Sequence, residues 1–167
     1  MISSVVFMGV SGCGKSSLAA AVAQVEGLPL VEGDDFHSAA NRLKMSRGIA
    51  LNDDDREGWL NLLGEQLRSS PDAIVLTCSS LRKKYRECLR QASPGLRFVF
   101  LSLTQEQARA RVHARTSHFF SESLVDSQFD SLEPPVDEPN VLQVDATSPI
   151  YQLQSQVSAW LHPGSQA

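Results

Sequence analysis

The run Gly9-Val10-Ser11-Gly12-Cys13-Gly14-Lys15-Ser16 matches G-x-x-x-x-G-K-[ST] at every fixed position. It lies between an apolar stretch, Val5-Val6-Phe7-Met8, and a helix-forming stretch, Ser17-Leu18-Ala19-Ala20-Ala21-Val22-Ala23. No other feature restricts the fold so strongly, because the pattern acts only at a strand-to-helix turn whose glycines aim consecutive backbone amides inward. Such a nest, backed by the positive end of the following helix, grips a phosphate chain without a covalent bond. The loop therefore reads as a P-loop running from Gly9 to Ser16, with Ser17 opening the helix behind it. Lys15 is placed to reach β- and γ-phosphates and Ser16 to ligate Mg²⁺. Cys13, at a variable position, contributes its amide.

A chain of 167 residues has room for one domain with a real core and not for two. A formal net charge of −4 gives no electrostatic reason to expect nucleic acid, whose binders carry a basic excess. No apolar stretch approaches the length that spans a bilayer, so no membrane is expected. Only Met1-Ile2-Ser3-Ser4 precedes the first apolar run, too short for an export signal, so the expected location is the cytoplasm. Cys13, Cys78 and Cys88 are odd in number and lack a C-x-x-C pair, which argues against a disulfide framework and a zinc site.

Beyond the first helix, Leu28-Pro29-Leu30-Val31 reads as a short strand that runs into Glu32-Gly33-Asp34-Asp35-Phe36-His37. Acidic residues at a strand end, one crossover from a P-loop, face the γ-phosphate if the strands are parallel and adjacent. Asp35 or Ser38 serves equally as a cap for the next helix, over 38–48. Asn52 or Asp53 then caps another helix, which the acids at 53–55 suit electrostatically and whose stripe Trp59, Leu60, Leu63 and Leu67 is a core face. Ala73-Ile74-Val75-Leu76-Thr77 is a buried strand ending in Cys78-Ser79-Ser80, with no acidic residue where many P-loop NTPases carry the metal's aspartate. The carboxylate for Mg²⁺ must come from elsewhere, with Glu32 or Asp34 available.

The helix after residue 81 carries Arg82, Lys83, Lys84 and Arg86, and its first turn faces the ligand crevice. A strand at 96–103 leads to a capped helix start, Thr104-Gln105-Glu106-Gln107. The helix bears Arg109, Arg111 and Arg115, of which the last two share a face. Residues 116–121 interrupt the pattern as a lid would. Three prolines between Pro134 and Pro139 exclude regular structure, Val141-Leu142-Gln143-Val144-Asp145 is a fifth strand, and a last helix follows Pro149.

These residues resemble the gluconokinase family of small P-loop carbohydrate kinases, related to shikimate kinases. The likeness is carried by Gly33-Asp34…His37, Asn41…Lys44-Met45…Gly48…Leu51-Asn52-Asp53-Asp54-Asp55-Arg56…Trp59-Leu60, Cys78-Ser79…Leu81…Lys83…Tyr85-Arg86 and His118-Phe119…Ser127-Gln128-Phe129…Leu132-Glu133-Pro134. Departures at Glu32, Ser38, Ala50, Ser80 and Arg82 are chemically mild. The resemblance implies one α/β P-loop kinase domain over 1–167, with a five-stranded parallel sheet ordered 2-3-1-4-5, a substrate-binding helical region at about 36–70 and a lid at about 114–131. It implies transfer of the γ-phosphoryl group of ATP to the 6-hydroxyl of D-gluconate, and a homodimer is common in the family. On this reading Asp34 orients or deprotonates the acceptor hydroxyl, Lys15 and Arg115 neutralise the transferred group, and Arg111 lies near the nucleotide. Arg56, with Lys83 behind it, takes the substrate carboxylate, while His37 and His118 bond sugar hydroxyls. A kinase for another hydroxy acid such as shikimate and a non-catalytic nucleotide switch stay open on the residues alone.

Overall fold

The computed structural model describes residues 2–114 and 122–165. Five parallel strands form one sheet in the order β2-β3-β1-β4-β5: β1 Val5–Met8, β2 Leu30–Glu32, β3 Val75–Thr77, β4 Arg97–Ser102 and β5 Val141–Asp145. The order is the one the resemblance implied. Each strand is followed by helix: α1 Lys15–Glu26, α2 Ala39–Ser46 and α3 Asp53–Ser69, α4 Lys83–Ala92, α5 Gln105–Ala114 and α6 Glu122–Ser131, and finally α7 Ile150–Leu161.

Side chains alternate across each strand, and the sheet is covered on both faces. Val5, Phe7, Val75, Val99 and Leu101 point into a core shared with Leu18 and Val22 of α1, Val112 of α5 and Leu153 and Val157 of α7. Val6, Met8, Leu76, Phe98 and Phe100 point the other way, against Trp59, Leu60 and Leu63 of α3 and Tyr85 and Leu89 of α4. The central strands β1, β3 and β4 consequently carry the largely apolar runs of parallel strands buried on both sides. The stripe expected on α3 is buried, and Gly64 lets α4 approach to where an added Cβ would meet Ala92 at 3.2 Å.

Helix starts are set by side chains. Ser38 accepts the Asn41 amide at α2, Asn52 and Asp55 form a reciprocal capping box at α3, and Thr104 and Gln107 form another at α5. Asp55-Arg56-Glu57-Gly58 spells the D-x-x-G of GTP-binding switches, but here it lies inside α3 and not in a switch loop.

Register positions the site. Phe7 pairs with Thr77, and Thr77 with Glu32, so the end of β2 and the loop after β1 emerge side by side at the carboxyl edge. The chain leaves β1 toward β2 on one side and β3 toward β4 on the other, which makes this edge a topological switch point where ligands bind.

One strong interaction escaped the sequence reading. Arg86 is completely buried and donates to both Glu138 oxygens, at 2.9 and 2.6 Å, to Ser80 O at 2.7 Å and to Glu133 O at 2.9 Å. Arg90 adds a second cation, 2.8 Å from Glu138. Burial raises the Glu138 pKa, but the hydrogen bonds from Arg86 and Arg90 outweigh it and hold the carboxyl below its ordinary range. The cluster fastens the irregular 132–140 segment and the 78–81 loop to α4. Arg86→Met leaves Glu138 buried with half of its partners, and the expected loss is about 3 kcal/mol of stability, read as a lower urea midpoint. In the parent protein the contribution is present above the ordinary glutamate pKa and is lost as pH falls through the depressed folded value.

Candidate active site

The P-loop wraps the end of β1. Gly9, Gly12 and Gly14 have φ of 145°, 84° and 92°, conformations that glycine reaches without strain. A Cβ on Gly9 would lie 2.9 Å from both Cys13 Sγ and Leu101 O, so this position also excludes a side chain for space. Lys15 folds back over the loop and donates to Gly9 O at 3.0 Å and Val10 O at 3.2 Å. Cys13 is buried beneath it.

Beside the loop, β2 ends in a 3₁₀ turn, Gly33–Phe36. Thr77 holds it: its hydroxyl accepts the Gly33 amide at 3.1 Å and donates to Glu32 Oε2 at 2.7 Å. The same Glu32 oxygen accepts from Ser16 Oγ at 3.0 Å. A hydroxyl and a carboxylate converging at the P-loop are hard oxygen donors of the type Mg²⁺ takes, alongside phosphate and water, so Ser16 and Glu32 fit the ion. Among the described residues there is no cluster of three or more His, Cys, Asp or Glu placed to hold a metal ion.

Asp34 projects from that turn with its side chain 65% exposed. It lines one open cleft together with Ser11, Lys15, His37, Arg56, Ser79 and Gln128. Two of these side chains have a visible support. His37 stacks on Trp59 with ring centroids 4.1 Å apart, and Trp59 Nε1 donates to Gly33 O at 2.7 Å. Burial holds His37 below its usual pKa, opposed by Asp34 and reinforced by Arg42 and Arg56. Arg56 donates to Tyr85 OH at 3.1 Å and lies 5.3 Å over its ring. The Tyr85 hydroxyl in turn bonds Asp53, which also pairs with Lys84. Hydrogen bonds from Lys84 and Tyr85 lower the Asp53 pKa, while burial and Asp53 raise that of Tyr85. Lys44 is taken by Asp55, at 2.9 and 2.8 Å.

On the nucleotide side, Arg111 bridges the P-loop and the turn after β5, donating to Gly12 O at 3.1 Å and Ala146 O at 3.0 Å. Arg109 is occupied by Asp126 of α6 at 2.6 Å. Lys83 lies outside the cleft, and its backbone amide is capped by Glu133 at 2.9 Å. Arg115 and His118 fall outside the described residues, as do residues 115–121 of the segment read as the lid. Residues the sequence reading gave no role also appear: Gln128 Oε1 accepts the Ser11 amide at 2.6 Å, and the buried Asn41 touches His37. Both stood in the stretches that carried the family resemblance, but no local pattern indicated what they contact.

A P-loop at the switch point of a parallel sheet, with a carboxylate-bearing cleft beside it, defines a P-loop kinase. Residues 5–135 match the AAA domain family. The chain is 38% identical over 157 residues, 92% of this chain and 84% of the relative, to thermosensitive gluconokinase of Escherichia coli (strain K12). It is 41% identical over 142 residues to the gluconokinase of Gluconobacter oxydans (strain 621H), covering 83% of this chain and 80% of that one. The chain belongs to the gluconokinase family. A crystal structure of a gluconokinase from Sinorhizobium meliloti 1021 superposes with a TM-score of 0.89 at 42% identity, over 96% of this chain and 92% of that one. An unliganded sugar kinase from Janibacter sp. HTCC2649 gives 0.92 at 36% identity, over 98% and 96%.

Arg111→Ala removes a charged bridge between the P-loop and the 145–149 turn. The expected outcome is about tenfold weaker ATP binding by titration, with little change in acceptor affinity.

Proposed function

We propose that this protein phosphorylates D-gluconate at its 6-hydroxyl with ATP, giving 6-phosphogluconate and ADP. The observation that carries the reading is the shared cleft: Lys15 of the phosphate loop and Asp34 of the β2 turn line one cavity with the cation Arg56. A polyhydroxy acid needs all three, with a phosphate grip at one end, a proton acceptor at the reacting hydroxyl and a counter-charge for the carboxylate.

In this mechanism the P-loop amides and Lys15 hold the triphosphate, with Arg111 at its nucleotide end. Asp34 accepts a hydrogen bond from the 6-hydroxyl and aims its oxygen in line with the γ-phosphorus. The oxygen–phosphorus bond forms as the bond to the ADP oxygen breaks, and the hydroxyl proton passes to Asp34. Lys15 meets charge that develops on the transferred group, an interaction stronger in the transition state than before it. Arg115, by its place in the family resemblance, is given the same task from the lid. Ser16 and Glu32 would hold Mg²⁺, which would supply electrostatic stabilisation of the phosphate oxygens. Arg56, steadied by Tyr85, pairs with the carboxylate, and His37 and His118 address hydroxyls between the two ends. Closure of the segment at about 114–131 excludes water and suppresses hydrolysis.

The test is ATP consumption measured across gluconate, shikimate and nucleosides, with phosphate release in the absence of acceptor as the baseline. Stimulation by gluconate alone supports the reading. Stimulation by shikimate in its place reassigns the acceptor, and stimulation by none favours a nucleotide switch. Lys15→Ala is expected to lower kcat about a thousandfold. Asp34→Asn should lower kcat by about a hundredfold or more while ATP affinity holds, and near-normal turnover would remove Asp34 from the chemistry. Arg56→Ala should raise the gluconate KM by about tenfold or more, as expected for loss of a charged hydrogen bond, and an unchanged KM in steady-state kinetics would exclude the carboxylate contact.

A further inference from the structure

Asn41 is buried at the start of α2, 5% exposed. Its Nδ2 donates to Asp55 O at 2.9 Å and lies 3.4 Å from His37 Nδ1. A carbonyl oxygen only accepts, so the first contact fixes which end of the Asn41 amide is nitrogen. The opposite orientation would set two oxygens against each other. The remaining N–H of that nitrogen therefore meets His37 Nδ1, which must present a lone pair. In a neutral imidazole the proton is then on Nε2. That nitrogen is 3.8 Å from Asp34 Oδ1, and stacking on Trp59 fixes the plane of the ring.

We propose that Asn41 is a positioning residue for phosphoryl transfer: it locks His37 in the Nε2–H tautomer, so that Asp34 and the acceptor face an N–H donor. The inference rests on the role given above to Asp34. The other tautomer would turn a nitrogen lone pair toward the carboxylate, which repels it and offers a second base. An imidazolium would neutralise Asp34 and weaken its pull on the hydroxyl proton. With Nε2–H in place, His37 supports the carboxylate or binds a neighbouring hydroxyl oxygen and does not compete for the proton. The charged groups facing the ring are consistent with a neutral form. Asp34 on its own turn favours the imidazolium, while Arg42 of α2, Arg56 of α3 and burial itself oppose it, with burial the largest.

Nitrogen-15 NMR of the imidazoles in the wild-type protein tests this without any need for turnover. The expected spectrum at pH 7.5 has His37 neutral, with a pyridine-type Nδ1 and a pyrrole-type Nε2. A pyrrole-type Nδ1 or an imidazolium would overturn the proposal. In Asn41→Asp, a carboxylate beside Nδ1 demands a proton there, so the acid limb of the kcat profile should move up by about one pH unit or more. Asn41→Leu, which removes the donor without adding charge, should mix the tautomers and lower kcat about tenfold while the ATP KM stays within about twofold. Either variant with a wild-type His37 spectrum and wild-type kcat contradicts the proposal. Because the spectra need no acceptor, a correct tautomer in a protein that phosphorylates nothing would sink the functional reading and leave the assignment of the proton intact.

Discussion

The site depends on one hydroxyl. Thr77, 4% exposed at the end of β3, accepts the Gly33 amide and donates to the Glu32 carboxylate. Those two bonds hold the end of β2 flush with the P-loop, so that Glu32 meets Ser16 and Asp34 opens onto the same cleft as Lys15. Gly33 is the other half of the joint. A Cβ there would sit 2.1 Å from Thr77 O, a distance no relaxation of a side chain relieves, because the obstacle is backbone in the middle of a sheet. The parallel register between β2 and β3 brings the residues level, and the hydroxyl and the missing side chain let them close.

Around that joint the polar groups are already engaged with one another. Lys15 lies on the carbonyls of its own loop, the Ser11 amide is met by Gln128, and Ser16 by Glu32. These are the same donors that a triphosphate would engage, so binding exchanges internal hydrogen bonds for charge-assisted ones, which are stronger. The Gln128 contact ties α6, which belongs to the segment read as the lid, directly to the P-loop. Just past the same end of α6 comes Glu133, whose backbone and side chain cap the 81–83 turn. The last turn of α6 and the residues just after it thereby touch both the phosphate loop and the 78–83 segment that carries Ser79 into the cleft.

Much of this was legible in the sequence because it is local. The P-loop fixes its own geometry through glycine φ angles, the capping boxes at Asn52 and Thr104 lie within four residues, and the apolar runs name the buried strands. Asp34 was reachable because a strand end one crossover from a P-loop has few places to be. What stayed hidden depends on long-range partners. The basic run after Leu81 suggests cations facing a ligand, yet Arg86 turns inward to Glu138, 52 residues away. Gln128 finds Ser11 across 117 residues. Asn41 looked like an ordinary polar helix position, since its partner Asp55 O is a backbone atom on another helix. No periodicity encodes such pairings, because their energies are set by burial and geometry that exist only once the sheet is assembled.

The central claim is that a nest of main-chain amides and a carboxylate from the neighbouring strand converge on one phosphoryl group. A crystal structure with D-gluconate, Mg²⁺ and a non-hydrolysable ATP analogue measures this directly. The account predicts the gluconate 6-oxygen within hydrogen-bonding distance of Asp34 and about 3–3.5 Å from the γ-phosphorus, in line with the bridging atom. A γ-phosphate seated in the P-loop with the acceptor hydroxyl bound away from Asp34 would contradict it.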